Sequence, residues 1–570
     1  MAKPFLLLFI LVLGFVPGLY CQQRYDIIID EIMADPSPRV NLPANEWIEL
    51  KNISSAPVNL AGWRLADASG QSGPIPSYTI LPDSFLVICS SGSLTDLQPY
   101  GNTISVSSFP SLDNAGELLV LKSNSGNIIH AVRYSDTWYQ NPVKSEGGWT
   151  LEMIDTKNPC AGDDNWKAST DPDGGTPGRK NSADAILPDP AAAELVNTYM
   201  LNDSTVVLEF NKPIDSLSAS IETNYTIDNS AGFNEIMILP PLWNSVQLIT
   251  AAKLNRQTVY ELSYIGINDC PGKNSLSGKI KIGIPETAEN SDLIINEILF
   301  NPKSGGSDYV ELYNRSLKVI DAAKLYLASR NSSNNISSQK SVSEKPAYLY
   351  PGDYRVVTEN RDRLAMDYFV KDPRAVIEVP ALPSYPDDEG TVVLLNYQGN
   401  RVDELHYFDD WHFKLIQNPE GVSLERIDPE AITQNADNWH SAASSSGYGT
   451  PGYRNSQYKT FENIPAAIQV TPVVFSPDND GYNDIATIQY RVTGAGFVAN
   501  VTIFDAMGRP VKNLVQNALL SPQGYWNWDG LDNKGLKLPA GNYIILTEVF
   551  NLKGEKKQFK NTIALARRLN

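Results

Sequence analysis

A duplication constrains this chain more than any other feature of its sequence. Residues 164–182 read DNWKASTDPDGGTPGRKNS, and residues 437–456 read DNWHSAASSSGYGTPGYRNS. Upstream, IIIDEIMADPSP and NEWIELKNIS in the first half match LIINEILFNPKS and SDYVELYNRS in the second. Two further pairs are PSLDNAGELLVLKSNSGN with PSYPDDEGTVVLLNYQGN, and GGWTLEMID with EGVSLERID. Because order and spacing are kept from the first pair to the last, a whole domain is duplicated.

Each repeat has the pattern of β-structure. Short β-branched and aromatic runs, among them EWIEL, FLVIC and TVVLLN, are separated by turns of Gly, Pro, Asn and Asp. This spacing predicts the strands of a β-sandwich. In NEWIELKN, alternation places Trp47 and Glu49 on one face of a strand, and Ile48 and Leu50 on the other. No long helical pattern is present in the sequence, so the predicted fold class is all-β.

The N-terminus has the layout of a secretory signal peptide, predicted over residues 1–21. Lys3 precedes an apolar run, Phe5–Val16, and a Pro-Gly pair then breaks the helix. This run is too short for a spanning helix, so we expect export with cleavage after Cys21. A lipoprotein would carry its lipid on Cys21, but the bulky Tyr20 before it disfavours that processing. No later segment has the ~18 continuous apolar residues of a membrane helix.

Charge and cysteine content bound the partners. The formal charge of −19 becomes −20 without the leader, which argues against nucleic acid as a partner and suits solubility outside the cell or divalent cations. Three cysteines follow the leader, an odd number for an oxidising compartment. Cys160 and Cys270 lie in Gly/Pro loops and are the expected disulfide, whereas Cys89 ends a strand-like run and is expected to be a small buried thiol.

The repeats resemble a known family, the lamin-tail domain, in the form carried by exported proteins of Bacteroidetes-type bacteria. The resemblance rests on the opening INEI strand (Ile295–Ile298, with IDEI at Ile29–Ile32), on WIELKN and YVELYN, and on the closing DNW…GTPG.RNS string. It covers residues 25–182, the first repeat, and residues 292–456, the second repeat. It implies an immunoglobulin-like sandwich. We expect the DNW tryptophans to plug its end and the Thr-Pro-Gly strings to turn the chain outward: Trp166, Trp439, Thr176–Gly178 and Thr450–Gly452.

Two other segments resemble Ig-like modules. The middle segment, with STVVLEFNKPID, is similar to the spacer modules of bacterial S-layer and surface proteins. The C-terminal segment, with FSPDNDGYND, WDG and PAGNY, resembles the Ig-like domain of flagellar-hook capping proteins and the C-terminal modules of type IX secretion cargo. Its ending departs from the best-known cargo endings, so a sorting role and a structural role are both open. The predicted domains are 22–182, 183–288, 289–458 and 459–570, as tandem Ig-like β-sandwiches.

The loop 478–484 is a candidate calcium site. Asp478, Asp480, Asn483 and Asp484 offer oxygen ligands, and Gly481 allows a tight turn. Calcium takes six to eight oxygens in proteins, so these residues would begin a site. The loop lacks the terminal bidentate glutamate of an EF-hand, and Asx turns that cap a strand would use the same residues. Calcium and a turn are therefore the alternatives.

No catalytic constellation stands out in the sequence. The four histidines form no HExxH pair and no zinc spacing with cysteine, and no glycine-flanked serine elbow is present. The best acid/base candidates are Glu31 with Glu49 and their equivalents Glu297 with Glu311, which are expected on adjacent strands. A structural role would keep the same carboxylates in both repeats. We therefore expect no catalytic residues.

Aromatic residues in polar loops, which we expect to be exposed, offer a binding route instead. The strings SDTWYQNP and FDDWHFKLIQNP place Trp138, Tyr139, Trp411 and Phe413 beside Asp and Asn, as in clefts that bind sugars. Tryptophans that plug a core would have the same sequence pattern. The predicted protein is a secreted, cell-surface structural or adhesion protein without catalysis, whose partners are surface polysaccharide, other surface proteins and secretion machinery. The alternative is an extracellular hydrolase, or its accessory subunit, acting on polysaccharide or nucleic acid.

Overall fold

The structure is a computed structural model. It describes residues 23–187, 192–228, 232–270, 272, 275–413, 416, 418–458, 467–492, 497–520, 523–551 and 556–567. The predicted signal peptide lies outside these residues. Strands predominate in the described part of the chain, and the longest α-helix there has seven residues, which confirms the all-β prediction. No helix among the described residues has the length and apolar character needed to cross a membrane.

The first repeat consists of eleven strands and one short helix. They are β1 (Ile27–Met33), β2 (Trp47–Asn52), β3 (Val58–Asn59), β4 (Arg64–Ala66), β5 (Thr79–Ile80), β6 (Phe85–Ser90), α1 (Leu94–Leu97), β7 (Thr103–Val106), β8 (Leu118–Lys122), β9 (Ile128–Arg133), β10 (Leu151–Met153) and β11 (Trp166–Ala168). A six-stranded sheet has the order β11-β10-β1-β2-β6-β7, and β4-β8-β9 form a second sheet. The core lies between these sheets, where Ile48 and Leu50 of β2 are buried.

The middle segment has seven strands in two small sheets. The strands and one short helix are β12 (Leu195–Asn202), β13 (Thr205–Phe210), α2 (Ser216–Ala219), β14 (Tyr225–Ile227), β15 (Phe233–Leu239), β16 (Ser245–Thr250), β17 (Tyr260–Asn268) and β18 (Ser275–Ile282). The sheet orders are β12-β13-β16-β15 and β14-β17-β18. The residues of β16 alternate between half-buried and buried, as expected for a strand with one buried face, whereas β13 is buried along most of its length.

The second repeat has the topology of the first. Its elements are β19 (Leu293–Leu299), β20 (Tyr309–Asn314), β21 (Ile320–Asp321), β22 (Leu325–Arg330), β23 (Ile336–Ser341), β24 (Tyr348–Leu349), β25 (Tyr354–Thr358), α3 (Arg361–Asp367), β26 (Val376–Glu378), β27 (Glu389–Asn396), β28 (Arg401–Phe408), β29 (Leu424–Arg426) and β30 (Trp439–Ser441). The large sheet, β30-β29-β19-β20-β25-β26, repeats the order of the first repeat position by position. The opposite sheet gains the edge strand β23.

The C-terminal segment forms a further pair of sheets. Its strands are β31 (Ile468–Thr471), β32 (Val474–Phe475), β33 (Ala486–Arg491), β34 (Phe497–Asp505), β35 (Pro510–Leu519), β36 (Gln523–Trp528), β37 (Gly541–Asn551) and β38 (Lys556–Leu565). They are arranged as β31-β33-β36 and β32-β38-β37-β34-β35. Phe475, Ile488, Val501 and Trp528 are among the residues that fill the space between the two sheets.

The chain divides into two compact units. Within the described residues, the first holds the chain up to Thr198, Ser204–Ala252 and Glu261–Ile280, and the second holds the remainder. The four predicted segments each contain their own sheets, and their boundaries at 182, 288 and 458 stay a prediction. Inside the first unit, Cys160 and Cys270 form a disulfide with Cα atoms 6.1 Å apart. Cys89 is a buried free thiol, as predicted.

Candidate functional site

Three glutamates meet in the large sheet of each repeat. Glu31 on β1 lies opposite Glu49 on β2 and opposite Glu152 on β10. All three side chains are 0% exposed. We call this set the carboxylate cluster of the first repeat. The same register on β19, β20 and β29 gives the cluster of the second repeat, whose members are also fully buried: Glu297, Glu311 and Glu425.

The closing segment, residues 164–182, supplies hydrogen-bond donors to the first cluster. Its Thr-Pro-Gly turn presents the Thr176 amide to Glu31 Oε1 at 2.7 Å and the Thr176 hydroxyl to Glu152 Oε1 at 3.0 Å. The Gly178 amide donates to Glu49 Oε2. Gly178 has φ +79°, and a Cβ there would lie 2.6 Å from the Tyr100 carbonyl oxygen, so the turn requires glycine.

The second repeat reproduces these contacts with its own closing segment, residues 437–456. The Thr450 amide donates to Glu297 Oε1 at 2.9 Å, and its hydroxyl donates to Glu425 Oε1 at 2.7 Å. The Gly452 amide donates to Glu311 Oε2 at 2.6 Å. In each repeat, therefore, buried carboxylates hold the Thr-Pro-Gly turn against the sheet. Hydrogen bonds to charged acceptors are the stronger class in proteins, so this contact fixes where the chain leaves the sandwich.

Burial dominates the electrostatics of the clusters. It raises the pKa of Glu31 to about 8 and the pKa of Glu425 to about 7, since charged groups lose their hydration in the interior. It also raises the pKa of Glu49 and Glu311 well above the usual range, and the neighbouring carboxylates add to the rise. Burial and the neighbouring carboxylates therefore favour the uncharged form of these four glutamates.

The geometry of the clusters shows whether the predicted acid/base pairs are open to a substrate. The pairs Glu31 with Glu49 and Glu297 with Glu311 lie on adjacent strands, as predicted. They do not line an open groove, because the closing segments cover them and occupy their oxygens. The hydrolase alternative required an open groove and gains no support here. Sequence reasoning did not single out the third glutamate of each cluster, although the paired strings LEMID and LERID contain it.

The acidic loop of the C-terminal segment brings three carboxylates together. Asp478, Asp480 and Asp484 each offer an oxygen, and these oxygens lie within 4.8 Å of one another. The Asp484 carboxylate also accepts from the Asp480 amide at 3.2 Å, so the turn-capping alternative is satisfied as well. Asn483 takes part through its backbone, because its carbonyl accepts from the Ser476 amide at 2.8 Å.

The acidic loop contacts the closing segment of the second repeat. The Ser444 amide and hydroxyl donate to the Asn479 carbonyl at 2.6 Å. The Asn479 side-chain amide donates to the Ala442 carbonyl at 2.9 Å, and Gln457 Nε2 donates to Asp484 Oδ2 at 3.3 Å. The loop is therefore part of the joint by which the second repeat meets the C-terminal segment.

Two family models match the sequence. The Lamin Tail Domain matches residues 22–136 and 286–409, and the CHU_C Type IX secretion signal domain matches residues 468–565. The chain contains two lamin tail domains and a type IX secretion signal domain. It is therefore a secreted or cell-surface protein. Both resemblances that the sequence motifs indicated are confirmed. No curated protein matches the chain.

Solved structures give distant matches. The N-terminal part of the bacterial S-layer protein SbsC is 13% identical, with a TM-score of 0.16 over 29% of this chain. The chain spans 40% of that structure. PorZ of Porphyromonas gingivalis is 12% identical, with a TM-score of 0.13, over 79% of this chain and 56% of its own. A Ca²⁺-stabilized adhesin of an Antarctic bacterium is 10% identical, with a TM-score of 0.12, over 96% and 100%. These scores support no functional inference.

At one buried position, the two lamin tail domains use different side chains to accept the same backbone hydrogen bond. In the first domain, His130 Nδ1 accepts the Ile29 amide at 2.9 Å. In the second domain, Asp403 Oδ2 accepts the equivalent Ile295 amide at 2.8 Å. Burial lowers the pKa of His130 to about 3, so its imidazole is neutral at physiological pH. The equivalent backbone amide thus has a neutral imidazole as its acceptor in the first domain and a carboxylate in the second.

The carboxylate acceptor is accompanied by a buried cation. Arg426, at the end of β29, is 1% exposed, and its Nη2 lies 3.3 Å from Asp403 Oδ2. Arg426 also donates to the Ile295 carbonyl at 2.8 Å and to Thr433 Oγ1 at 2.7 Å. Met153 ends β10 at the corresponding position of the first domain. Sequence reasoning did not detect this exchange.

The predicted aromatic binding residues are not the exposed rings that the sequence indicated. The prediction of exposure is wrong for Tyr139 and Phe413, which are 4% and 7% exposed. Tyr139 belongs to the core of the first domain, and its hydroxyl donates to the Trp149 carbonyl at 3.1 Å. Phe413 lies 5.5 Å from the His440 ring. Both loops form short turns that direct these rings inward because the apolar surface has a partner there.

The two loop tryptophans are half-buried. Trp138 packs 6.0 Å from Trp166, and Trp411 packs 5.8 Å from Phe408. Trp166 and Trp439 belong to the cores of their domains, which confirms the packing role predicted for the DNW motif. Part of each loop tryptophan remains accessible, so ligand binding at Trp138 and Trp411 stays a prediction.

Proposed function

We propose that this protein is a non-catalytic attachment protein of the cell surface, delivered by type IX secretion machinery. The observation that carries the proposal is the type IX secretion signal domain at residues 468–565. A secretion signal accounts for export but not for a task at the surface. The two lamin tail domains supply that task in our proposal, as rigid modules that present binding faces.

Two features support a binding rather than a catalytic role. The best acid/base candidates are buried and hold the closing segments, so they are not placed to meet a substrate. The formal charge of −19 keeps the chain soluble and repels nucleic acid. Surface polysaccharide and other surface proteins are therefore the partner classes that we propose.

Export is tested by truncation. The full chain and a chain lacking residues 459–570 are expressed with the native leader in a host that has type IX machinery and in a matched host without it. We expect protease treatment of intact cells to digest the full chain only in the competent host. The truncated chain should stay in the periplasm of both hosts. Surface display of the truncated chain, or of the full chain in the deficient host, would contradict the proposal.

Attachment is tested with the purified mature chain. We expect it to be retained on insoluble polysaccharide or on immobilised surface protein, and to release no new reducing ends from polysaccharide. Trp411→Ala should weaken polysaccharide retention, and Tyr397→Ala serves as its matched control because it removes an exposed aromatic ring of the same domain outside this loop. Retention on neither surface would overturn the attachment proposal. Release of reducing ends would also overturn it and would favour the hydrolase alternative.

We further propose that the acidic loop of the secretion signal domain binds calcium. Its three carboxylate oxygens fit a hard cation, and Asn479 Oδ1 is a buried loop oxygen without a hydrogen-bond partner among the described residues. Thermal melts with calcium and with a chelator test this. We expect calcium to raise the melting temperature of the native chain and of Asp410→Ala, but not of Asp480→Ala. Equal melts with calcium and chelator would leave the carboxylates as turn caps.

A further inference from the structure

The two lamin tail domains differ at one buried position in the contacts between the carboxylate cluster and the closing segment. In the second domain, Asn296 occupies the bulge of β19, between Ile295 and Glu297. Its amide group donates to Glu311 Oε1 at 2.7 Å and to Asn455 Oδ1 at 2.6 Å. A neutral side chain with two protons thus links the carboxylate cluster to the closing segment. Because an amide cannot ionise, this link does not depend on pH.

The first domain has Asp30 at the same place in the bulge of β1. Asp30 is 0% exposed, and among the described residues no donor lies within hydrogen-bond range of either carboxylate oxygen. Glu49 Oε1, the counterpart of Glu311 Oε1, also has no partner in the described part of the chain. Asp30 lies close enough to Glu49 to raise its pKa, and two neighbouring buried acceptors without a donor are explained when one of them carries a proton.

The groups around Asp30 are mostly acidic. The neighbouring titratable groups come from its own strand, from β2, from β10 and from the chain after the closing segment: Glu31, Glu49, Lys51, Glu152 and Asp184. Lys51 is the one cation among them, and its Nζ donates to Thr156 Oγ1 at 3.0 Å. It makes no ion pair with Asp30 within the described residues. An ionised Asp30 would therefore face several carboxylates with one cation nearby that is already hydrogen-bonded.

We propose that Asp30 is the proton-dependent latch of the first lamin tail domain. In the closed state one proton is held between the carboxyl groups of Asp30 and Glu49, in the role that the Asn296 amide has toward Glu311. Loss of that proton places a second negative charge against the cluster that holds Thr176 and Gly178. The closing segment of the first domain therefore opens more readily as the medium becomes less acidic, and its opening depends more steeply on pH than that of the second domain.

The expected direction follows from proton linkage. Burial raises the pKa of Asp30 from 3.8 to about 7, with Glu152 and Asp184 adding to the rise and Lys51 opposing it. Because the folded-state pKa lies above the unfolded value, the protonated closed state has its full stability below pH 3.8 and loses it as pH rises through about 7. Between pH 3.8 and about pH 7, opening releases one proton and becomes about tenfold more favourable per pH unit, and this dependence levels off above about pH 7.

Hydrogen exchange of the full mature chain tests the latch. Opening of residues 164–182 and of residues 437–456 is followed from about pH 5 to about pH 9, with correction for intrinsic exchange. We expect the opening constant of the first segment, relative to the second, to rise about tenfold per pH unit from about pH 5 to about pH 7 and to level off at higher pH. Asp30→Asn should remove this difference. Asn296→Asp should impose the same rise on the second domain.

Two controls keep the test decisive. Asp96→Asn removes an exposed carboxylate of the same domain and should leave the difference between the segments unchanged. The infrared carbonyl band of a protonated carboxylic acid should weaken in Asp30→Asn at neutral pH and not in Asp96→Asn. The proposal is overturned if the two native segments open with the same pH dependence, or if the first segment keeps its steeper pH dependence in Asp30→Asn. If Asp30→Asn does not fold, the proposal is overturned when Asn296→Asp leaves the pH dependence of opening in the second segment unchanged.

Discussion

The two lamin tail domains solve one structural problem with different buried residues. Both use three glutamates to hold a Thr-Pro-Gly turn, and the contacts agree atom by atom. Beneath that shared cluster, the first domain has a neutral His130 and Met153, and the second has Asp403 paired with Arg426. The glutamates are thus the fixed part of the module, and the groups beside them are exchanged in sets.

The exchange in sets has a physical reason. A buried backbone amide needs an acceptor, so the amides of Ile29 and Ile295 tolerate either an imidazole nitrogen or a carboxylate oxygen. A buried carboxylate in turn needs a proton, hydrogen-bond donors or a cation, because an uncompensated charge is expensive in the interior. Arg426 supplies the cation to Asp403, whereas the neutral His130 needs none and the first domain has a methionine at the position of Arg426.

The largest test of this comparison is Arg426→Met. It leaves Asp403 buried without its cation, and we expect the second domain to lose about 3–5 kcal/mol of unfolding free energy. Denaturant unfolding followed by hydrogen exchange of β19 and β29 measures the loss. The double variant Asp403→His with Arg426→Met transplants the pair of the first domain and should recover most of it. Equal losses in the single and double variants would show that the sets are not interchangeable.

The two domains also differ in how the chain is held where it leaves each of them. The loop after the first domain is joined to the middle segment by the Cys160–Cys270 disulfide, which closes a loop with a sequence separation of 110. The loop after the second domain meets the acidic loop through hydrogen bonds such as Ser444 to Asn479. A covalent closure restricts the unfolded chain, whereas hydrogen bonds act on the folded chain alone.

Cys160→Ser with Cys270→Ser should therefore cost more than the loss of one such hydrogen bond. We expect about 3–4 kcal/mol for the disulfide and about 1 kcal/mol for Ser444→Ala, measured by chemical denaturation. Reduction of the native chain should reproduce the cysteine variant, because the remaining thiol, Cys89, is already free. A native chain that is insensitive to reductant would mean that the crosslink contributes no stability.

Much of the fold follows from the sequence because the repeat is long. Paired strings such as WIELKN and YVELYN predict strands in the same register, and β2 and β20 occupy the same place in their sheets. The DNW and Thr-Pro-Gly strings predict packing and a turn, which Trp166 and Thr176 provide. These features are local, or recur in order, so a pattern in one chain is enough to predict them.

The site was harder to predict because its residues are far apart in sequence. Glu152 meets Glu31 across β10 and β1, and the Asp403 pair with Arg426 joins β28 to β29. Neither contact has a spacing that a motif could show. The burial of Tyr139 and Phe413 was mispredicted for a related reason: an aromatic residue in a polar loop has the same pattern whether its ring turns outward or inward.

Acid should destabilise the first lamin tail domain more than the second. The folded-state pKa of His130 is lowered from 6.5 to about 3, so stability is fully present above pH 6.5 and is lost as pH falls toward about 3. At pH 4.5 we expect the first domain to lose about 3 kcal/mol through this residue, because protonation of Nδ1 removes the acceptor for Ile29. Hydrogen exchange of β1 at neutral and acid pH measures the loss, and His130→Asp with Met153→Arg should abolish it. An unchanged acid response in that double variant would place the sensitivity elsewhere.

The smallest expected effect tests what the two domains share. Thr176→Val and Thr450→Val keep the shape of the side chain and remove the hydroxyl that lies within hydrogen-bond distance of two glutamates in each cluster. Each loss leaves buried carboxylate oxygens with fewer donors, so we expect about 1–3 kcal/mol in either domain, measured by local hydrogen exchange of the closing segment. The two losses should agree within about 0.5 kcal/mol, because the contacts are the same and the sites are distant. A large loss in one domain only would mean that the neighbouring groups, Asp30 or Asn296, set the strength of the turn, and that the clusters are not the fixed part of the module.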